Sequence, residues 1–137
     1  MGMRTRTQQW RLGTLVTVVL AAVLISACGA LDRIGEPVVA IEGGDPRLGR
    51  DAIREYGCIS CHSIPGVTGA DAHVGPPLDN FAERRFLAGR VPNDADTLIL
   101  FLMDPKYVDP QSAMPVTGLT EEDARHIAAY LYTLTED

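Results

Sequence analysis

"GCISCHSIPG", residues 57–66, sets two cysteines three apart with a histidine directly behind them. Three chemistries use such a spacing: a zinc ion, a redox disulfide or a covalently attached haem. Zinc takes about four ligands at tetrahedral angles. Cys58 and Cys61 with His73 or His126 are the donors to hand, but the chain has only three cysteines and three histidines, with no second cysteine pair and no paired histidines. A redox pair of the thioredoxin kind follows a strand and opens a helix, whose terminus lowers the thiol pKa. Here the pair follows a helical pattern and runs into "SIPG", a turn. Haem accounts for every residue of the motif. Thioethers from Cys58 and Cys61 fix the macrocycle, and His62 is then held where its imidazole reaches the iron from one side.

The opposite side of the iron needs a second ligand or stays open. Met103, Met114, His73 and His126 are the candidates. Met103 falls in an apolar helical stretch, where methionine fills core space. His126 stands beside charged residues in the last helix and is expected to be exposed. His73 follows His62 by eleven residues, a short span from one face of the ring to the other. Met114 lies in the loop "SAMPV", more than fifty residues downstream, with enough chain to come round to the far face. Met114 is therefore the expected second ligand.

The chain around the motif reads as helices joined by long loops. Asp45 caps a first helix, Pro46 suits its first position and Gly57 ends it, with Leu48, Ala52 and Ile53 or Tyr56 on one face. A second helix lies within "NDADTLILFLMDP", capped by Asn93, Asp94 or Asp96 and stopped before Pro105. The last helix, in "TEEDARHIAAYLYTL", opens with Thr120 and Asp123 as a capping box and puts Ile127, Leu131 and Leu134 on one stripe. Between them, "SIPGVTGADAHVGPPLDN" and "DPKYVDPQSAMPVTG" are too long to be idle in a compact domain, and are expected to wrap something. No alternation is long enough for a sheet. The expected fold is all-α, three to five helices with long loops around one covalent haem, over residues 45–137.

The N-terminus reads as an address. Arg4, Arg6 and Arg11 precede the apolar run "LGTLVTVVLAAVLISA", which ends at Cys28. "LISAC" resembles the lipobox of bacterial lipoproteins, which implies that residues 1–27 are a signal peptide and that Cys28 carries lipid. The alternative is an uncleaved anchor, because Leu12 to Leu31 has no charge and is about long enough to span. Either way the domain is expected outside the cytoplasm and tethered to a membrane. Lipid on Cys28 would also leave Cys58 and Cys61 as a private pair in an oxidising compartment. Residues 28–44 read as a flexible linker of about 20–25 Å root-mean-square span, with "PVVAI" as a possible edge strand.

From about Leu48 to Leu134 the chain resembles class I, monohaem cytochrome c. The motifs follow in the family's order: "GCISCH", then "GPPL", then an arginine, then "TLILFLMDPKYVDPQSAMP", then "IAAYL". The resemblance implies that the Pro76 carbonyl accepts a hydrogen bond from the non-coordinating nitrogen of His62. It implies a haem propionate beside Arg84, although Arg85 is adjacent, and a crossing of the first and last helices near Gly49 and Tyr130. Phe101 stands where many members carry a tyrosine near the methionine sulfur, and Asn93 where many carry a tryptophan near a propionate. "FAERRFLAGRVPN" and "SAMP" are also similar to cytochrome c domains fused to the second subunit of some terminal oxidases.

Charge bounds the partners. The chain carries a net charge of −6, and from Cys28 onward 9 basic residues stand against all 18 acidic ones. Nucleic-acid binding is excluded, because it is driven by Lys and Arg on phosphates; a basic protein partner is favoured. With both axial positions filled, no small-molecule substrate is expected and the chain is no enzyme. The implied function is a one-electron carrier in a respiratory chain, with a terminal oxidase as acceptor. The alternatives are a haem peroxidase or gas sensor with a displaceable Met114, or a fixed cytochrome subunit of a dehydrogenase or oxidase complex.

Overall fold

The computed structural model describes residues 34–136, so the expected signal segment, the Cys28 modification and the first part of the linker lie outside the described residues. Among the described residues no helix is long and apolar enough to cross a membrane. Four helices carry the domain: α1 (Pro46–Glu55), α2 (Ala95–Met103), α3 (Pro105–Val108) and α4 (Glu121–Leu131). Single 3-10 turns at Cys58–Ser60 and Phe81–Glu83 and a short antiparallel pair, β1 (Phe86–Leu87) with β2 (Val91–Pro92), interrupt the loops. The mostly helical, loop-rich architecture is the expected one.

Local chemistry sets the helix ends. The Asp45 carboxylate accepts the Arg47 N–H at 2.8 Å and Pro46 takes the first position of α1. Gly57, at φ 74°, turns the chain out of α1 through the left-handed region that a side chain disfavours. Of the three capping candidates for α2, Asp94 is used; it accepts the Thr97 N–H at 2.9 Å. Thr120 Oγ1 accepts the Asp123 N–H at 3.1 Å to start α4. The loop expected after α2 begins with a helical turn instead. Asp104 leaves helical geometry, then accepts the N–H groups of Lys106 and Tyr107, each at 3.1 Å, and Pro105 opens α3.

α1 and α4 cross at Gly49, where an added Cβ would fall on the carbonyl of His126. Only glycine allows that approach. The crossing corrects two expectations. Leu48, expected on the buried face, is 51% exposed, because the contact turns Gly49, Ala52 and Ile53 inward. His126, expected to be exposed, is buried: it lies against the start of α1, and its Nδ1 accepts the Asp45 N–H at 2.9 Å. One turn on, the buried Tyr130 donates its hydroxyl to the Pro65 carbonyl at 2.7 Å and fixes the long loop after the cysteine motif. Ile53, Leu98 and Ile127, from α1, α2 and α4, are among the large side chains buried completely in the core.

Residues 34–44, expected as free linker, lie on the domain. Ile41 is buried, the Val38 N–H donates to the Tyr132 carbonyl at 3.0 Å, and Arg125 donates to the Glu42 carbonyl at 3.3 Å. Of the apolar residues of this stretch, Ile41 joins the core and Ile34 and Val39 pack partly against it, while Val38 stays 61% exposed. "PVVAI" makes no strand there.

Candidate functional site

A cavity of about 510 Å³ opens within the helical frame, and Cys58, Cys61, His62, Pro76, Arg84 and Met114 all line it. Its walls are mainly apolar, with Ile53, Leu98, Phe101 and Leu131 among them. The left-handed turn at Gly57 delivers the chain into the 3-10 turn, in which the N–H groups of Cys61 and His62 both donate to the Cys58 carbonyl, at 3.2 and 3.0 Å. This tight winding brings two thiols and an imidazole to one cavity from five residues. Burial pushes the Cys58 thiol above its ordinary pKa, the opposite of what an activated redox cysteine needs. Among the described residues no group of three His, Cys, Asp or Glu is placed to hold a metal ion, so the donors do not make a zinc site.

His62 is fixed in orientation and in tautomer. Its Nδ1 lies 2.7 Å from the Pro76 carbonyl oxygen. A carbonyl only accepts, so Nδ1 carries the proton and Nε2 keeps its lone pair for ligation. The loop that supplies Pro76 is tied back by the Gly75 N–H to the Cys61 carbonyl at 2.7 Å and by the Leu78 N–H to the Ser63 carbonyl at 2.8 Å. At Gly75 a Cβ would stand 2.5 Å from His62 Cε1, so the glycine of "GPPL" lets the loop close over the imidazole. That steric role is not readable from the motif alone.

Met114 is half-buried, and its N–H donates to Ser112 Oγ at 3.2 Å. The other three ligand candidates do not line the cavity: His73 is exposed, Met103 packs on the core and His126 is engaged at Asp45. Phe101 does line it and brings no hydroxyl near the methionine. Of the adjacent arginines, Arg84 lines the cavity and Arg85 does not. Arg84 Nη2 donates to the carbonyls of Pro77 and Asp79 at 2.6 and 2.8 Å, and the guanidinium lies 5.5 Å over the Phe81 ring. Asn93 supports this arrangement from behind. Its Nδ2 donates to the carbonyls of Phe81 and Arg84 at 3.2 and 2.9 Å, and its Oδ1 accepts the Tyr132 hydroxyl at 3.1 Å.

Sequence reasoning missed Arg90 and Asp109, which also line the cavity. Asp109 is 6% exposed, and nothing in "YVDPQ" signals a buried acid. Taken together, an apolar cavity with two thiols, one imidazole nitrogen left bare by its partner's hydrogen bond, and a methionine fits a covalently bound haem.

The family described as Cytochrome c matches residues 47–135. Cytochrome c oxidase subunit 2 of Alkalihalophilus pseudofirmus is 37% identical over 87 residues, which is 63% of this chain and 25% of that protein. The protein of the same name from Bacillus sp. (strain PS3) is 32% identical over 88 residues, 61% of this chain and 25% of its own length. The chain thus spans a quarter of the length of these relatives. Cytochrome c2 from Rhodobacter sphaeroides superposes with a TM-score of 0.53 at 23% identity, covering 67% of this chain and 97% of that one, a likeness of fold. The family match runs from the first turn of α1 to past the end of α4 and encloses the whole cavity, so the chain belongs to the cytochrome c family, which binds one covalent haem c.

Proposed function

We propose that this chain is a one-electron carrier, tethered to a bacterial membrane through Cys28, that delivers electrons to a terminal oxidase with its iron held between His62 and Met114. Haem iron with a nitrogen and a thioether ligand supplies exchange between the ferric and ferrous states, and methionine raises the potential. The observation that carries the reading is the pairing in one cavity of His62, with its Nδ1 proton fixed on Pro76, and Met114. Cys58 and Cys61 hold the group covalently, His62 presents Nε2, and Met114 fills the position that an enzyme or gas sensor would leave open. Arg84 has one nitrogen engaged with backbone carbonyls and further N–H groups available to a propionate.

The acceptor is argued from the relatives' name and from charge. Both relatives are called oxidase subunits, and the acidic chain is suited to a basic docking surface. Val74 and Phe86 line the cavity and are 81% and 54% exposed, which offers such a partner apolar contact beside the redox group. Optical spectroscopy of the purified haem protein tests the ligation. A weak ferric charge-transfer band of methionine-bound iron, and a ferrous spectrum indifferent to carbon monoxide, are expected. Absence of the band together with rapid carbon monoxide binding would replace the carrier by the enzyme or sensor reading. For the tether, Cys28→Ser should move the holoprotein from the membrane fraction to the soluble one; an unchanged distribution would favour the uncleaved anchor.

A further inference from the structure

Asp109 is an acid buried at the cavity, and its carboxylate has two engagements. Oδ1 accepts the Gln111 N–H at 3.1 Å, and Oδ2 lies 3.6 Å from Arg90 Nε. The residue also ends α3: its N–H donates to the Pro105 carbonyl at 2.8 Å, and its carbonyl accepts the Ser112 N–H at 2.8 Å. Ser112 Oγ then accepts the Met114 N–H. Asp109 is therefore the root of a short hydrogen-bonded turn that ends at the methionine.

Arg90 comes from a different part of the chain, the turn between β1 and β2. Ala88 and Gly89 there have φ of 49° and 73°, and the Arg90 N–H donates to the Leu87 carbonyl at 2.9 Å. A turn with two successive positive φ values is a tightly determined hairpin connection. The ion pair thus joins a fixed hairpin to the loop that carries Met114, and both partners border the cavity. A buried carboxylate needs a paired charge, whereas Arg90 is 57% exposed, so solvent moderates the attraction. Such a contact holds a loop without freezing it.

We propose that Arg90 and Asp109 are positioning residues: their ion pair latches the 109–114 loop and sets how often Met114 lifts away from the cavity. The inference rests on the reading that Met114 is the second axial ligand. An added ligand that competes for that place binds with an apparent affinity proportional to the fraction of molecules with the loop open. Loosening the latch therefore tightens that binding.

The test is an imidazole titration of the full-length ferric holoprotein, followed by its optical spectrum. Arg90→Ala and Asp109→Asn are each expected to tighten imidazole binding roughly three- to tenfold. Asparagine keeps an oxygen for the Gln111 N–H, so that variant removes the charge and spares the turn. The double variant should gain no more than either single one, and Arg90→Lys should stay within about twofold of the parent. Raised salt on the unaltered protein should shift its affinity in the same direction as Arg90→Ala. Unchanged affinities in the single variants, or additive effects in the double one, overturn the latch. The parent protein is read first: absence of its methionine band would overturn the ligand assignment itself, whatever the variants do. Should Asp109→Asn yield too little holoprotein, Arg90→Ala and the salt series decide the matter.

Discussion

At the scale of single residues, the site is controlled as much by what is missing as by what is present. Gly75 has no side chain, and for that reason the loop closes on the His62 ring. Gly75→Ala is expected to cost about 2 kcal/mol of stability, because loop backbone and imidazole must part. Guanidinium unfolding followed at the haem band checks this, and the reduction potential should shift with the weakened Nδ1 to Pro76 contact. Tyr132 makes a second residue-scale prediction. Burial pushes its pKa up to about 12, against the ordinary 10.0. A folded pKa above the unfolded one means that the native state keeps the proton longer, so its contribution to stability is complete below about pH 10 and fades as pH rises towards about 12. Tyr132→Phe should flatten the fall in stability across that window. Some slope should survive, since hydrogen bonding to Asp123 raises Tyr56 as well.

At the scale of elements, the crossing of α1 and α4 decides the frame. A glycine inside a helix ordinarily loses about 1 kcal/mol relative to alanine, so replacing it would stabilise an isolated helix. At Gly49 the sign reverses. The new methyl would meet the His126 carbonyl, which is backbone and cannot swing aside. Gly49→Ala is expected to lose about 3 kcal/mol net, read as a lowered midpoint in thermal or denaturant unfolding. A neutral or stabilising result would mean that the two helices do not approach so closely. The same closeness explains His126: a side chain flanked by charges in sequence became a buried acceptor for the N–H of Asp45, the residue that caps α1.

At the scale of the whole molecule, a small frame encloses a large cavity, and much of the cavity wall is loop. Covalent attachment supplies the fixing that a modest core does not. The domain's acidic excess sets its expected encounters: association with a basic oxidase surface should slow by about tenfold or more between low and physiological ionic strength. Stopped-flow oxidation of the reduced protein by the isolated oxidase measures this. A rate indifferent to salt would point to the apolar contact at Val74 and Phe86 as the dominant attraction.

The chemistry and the order of the parts are written in short stretches of the chain. "GCISCH" is a local code, since five adjacent residues wound in one tight turn need no distant partner to reach one cavity. Helix starts at Asp45, Asp94 and Thr120 are equally local, because a capping side chain bonds a backbone N–H two or three residues away. Long-range packing, by contrast, sets which face of α1 is buried, where His126 points and that Asp109 meets Arg90. Each depends on an approach between segments far apart in the chain: a missing Cβ at Gly49 rotates α1, and a hairpin turn brings Arg90 to the loop of Met114. Neither residue composition nor periodicity records such distances; the close approach of Gly49 to the His126 carbonyl, the hydrogen bond from Asp45 to the His126 ring and the Arg90–Asp109 ion pair set them.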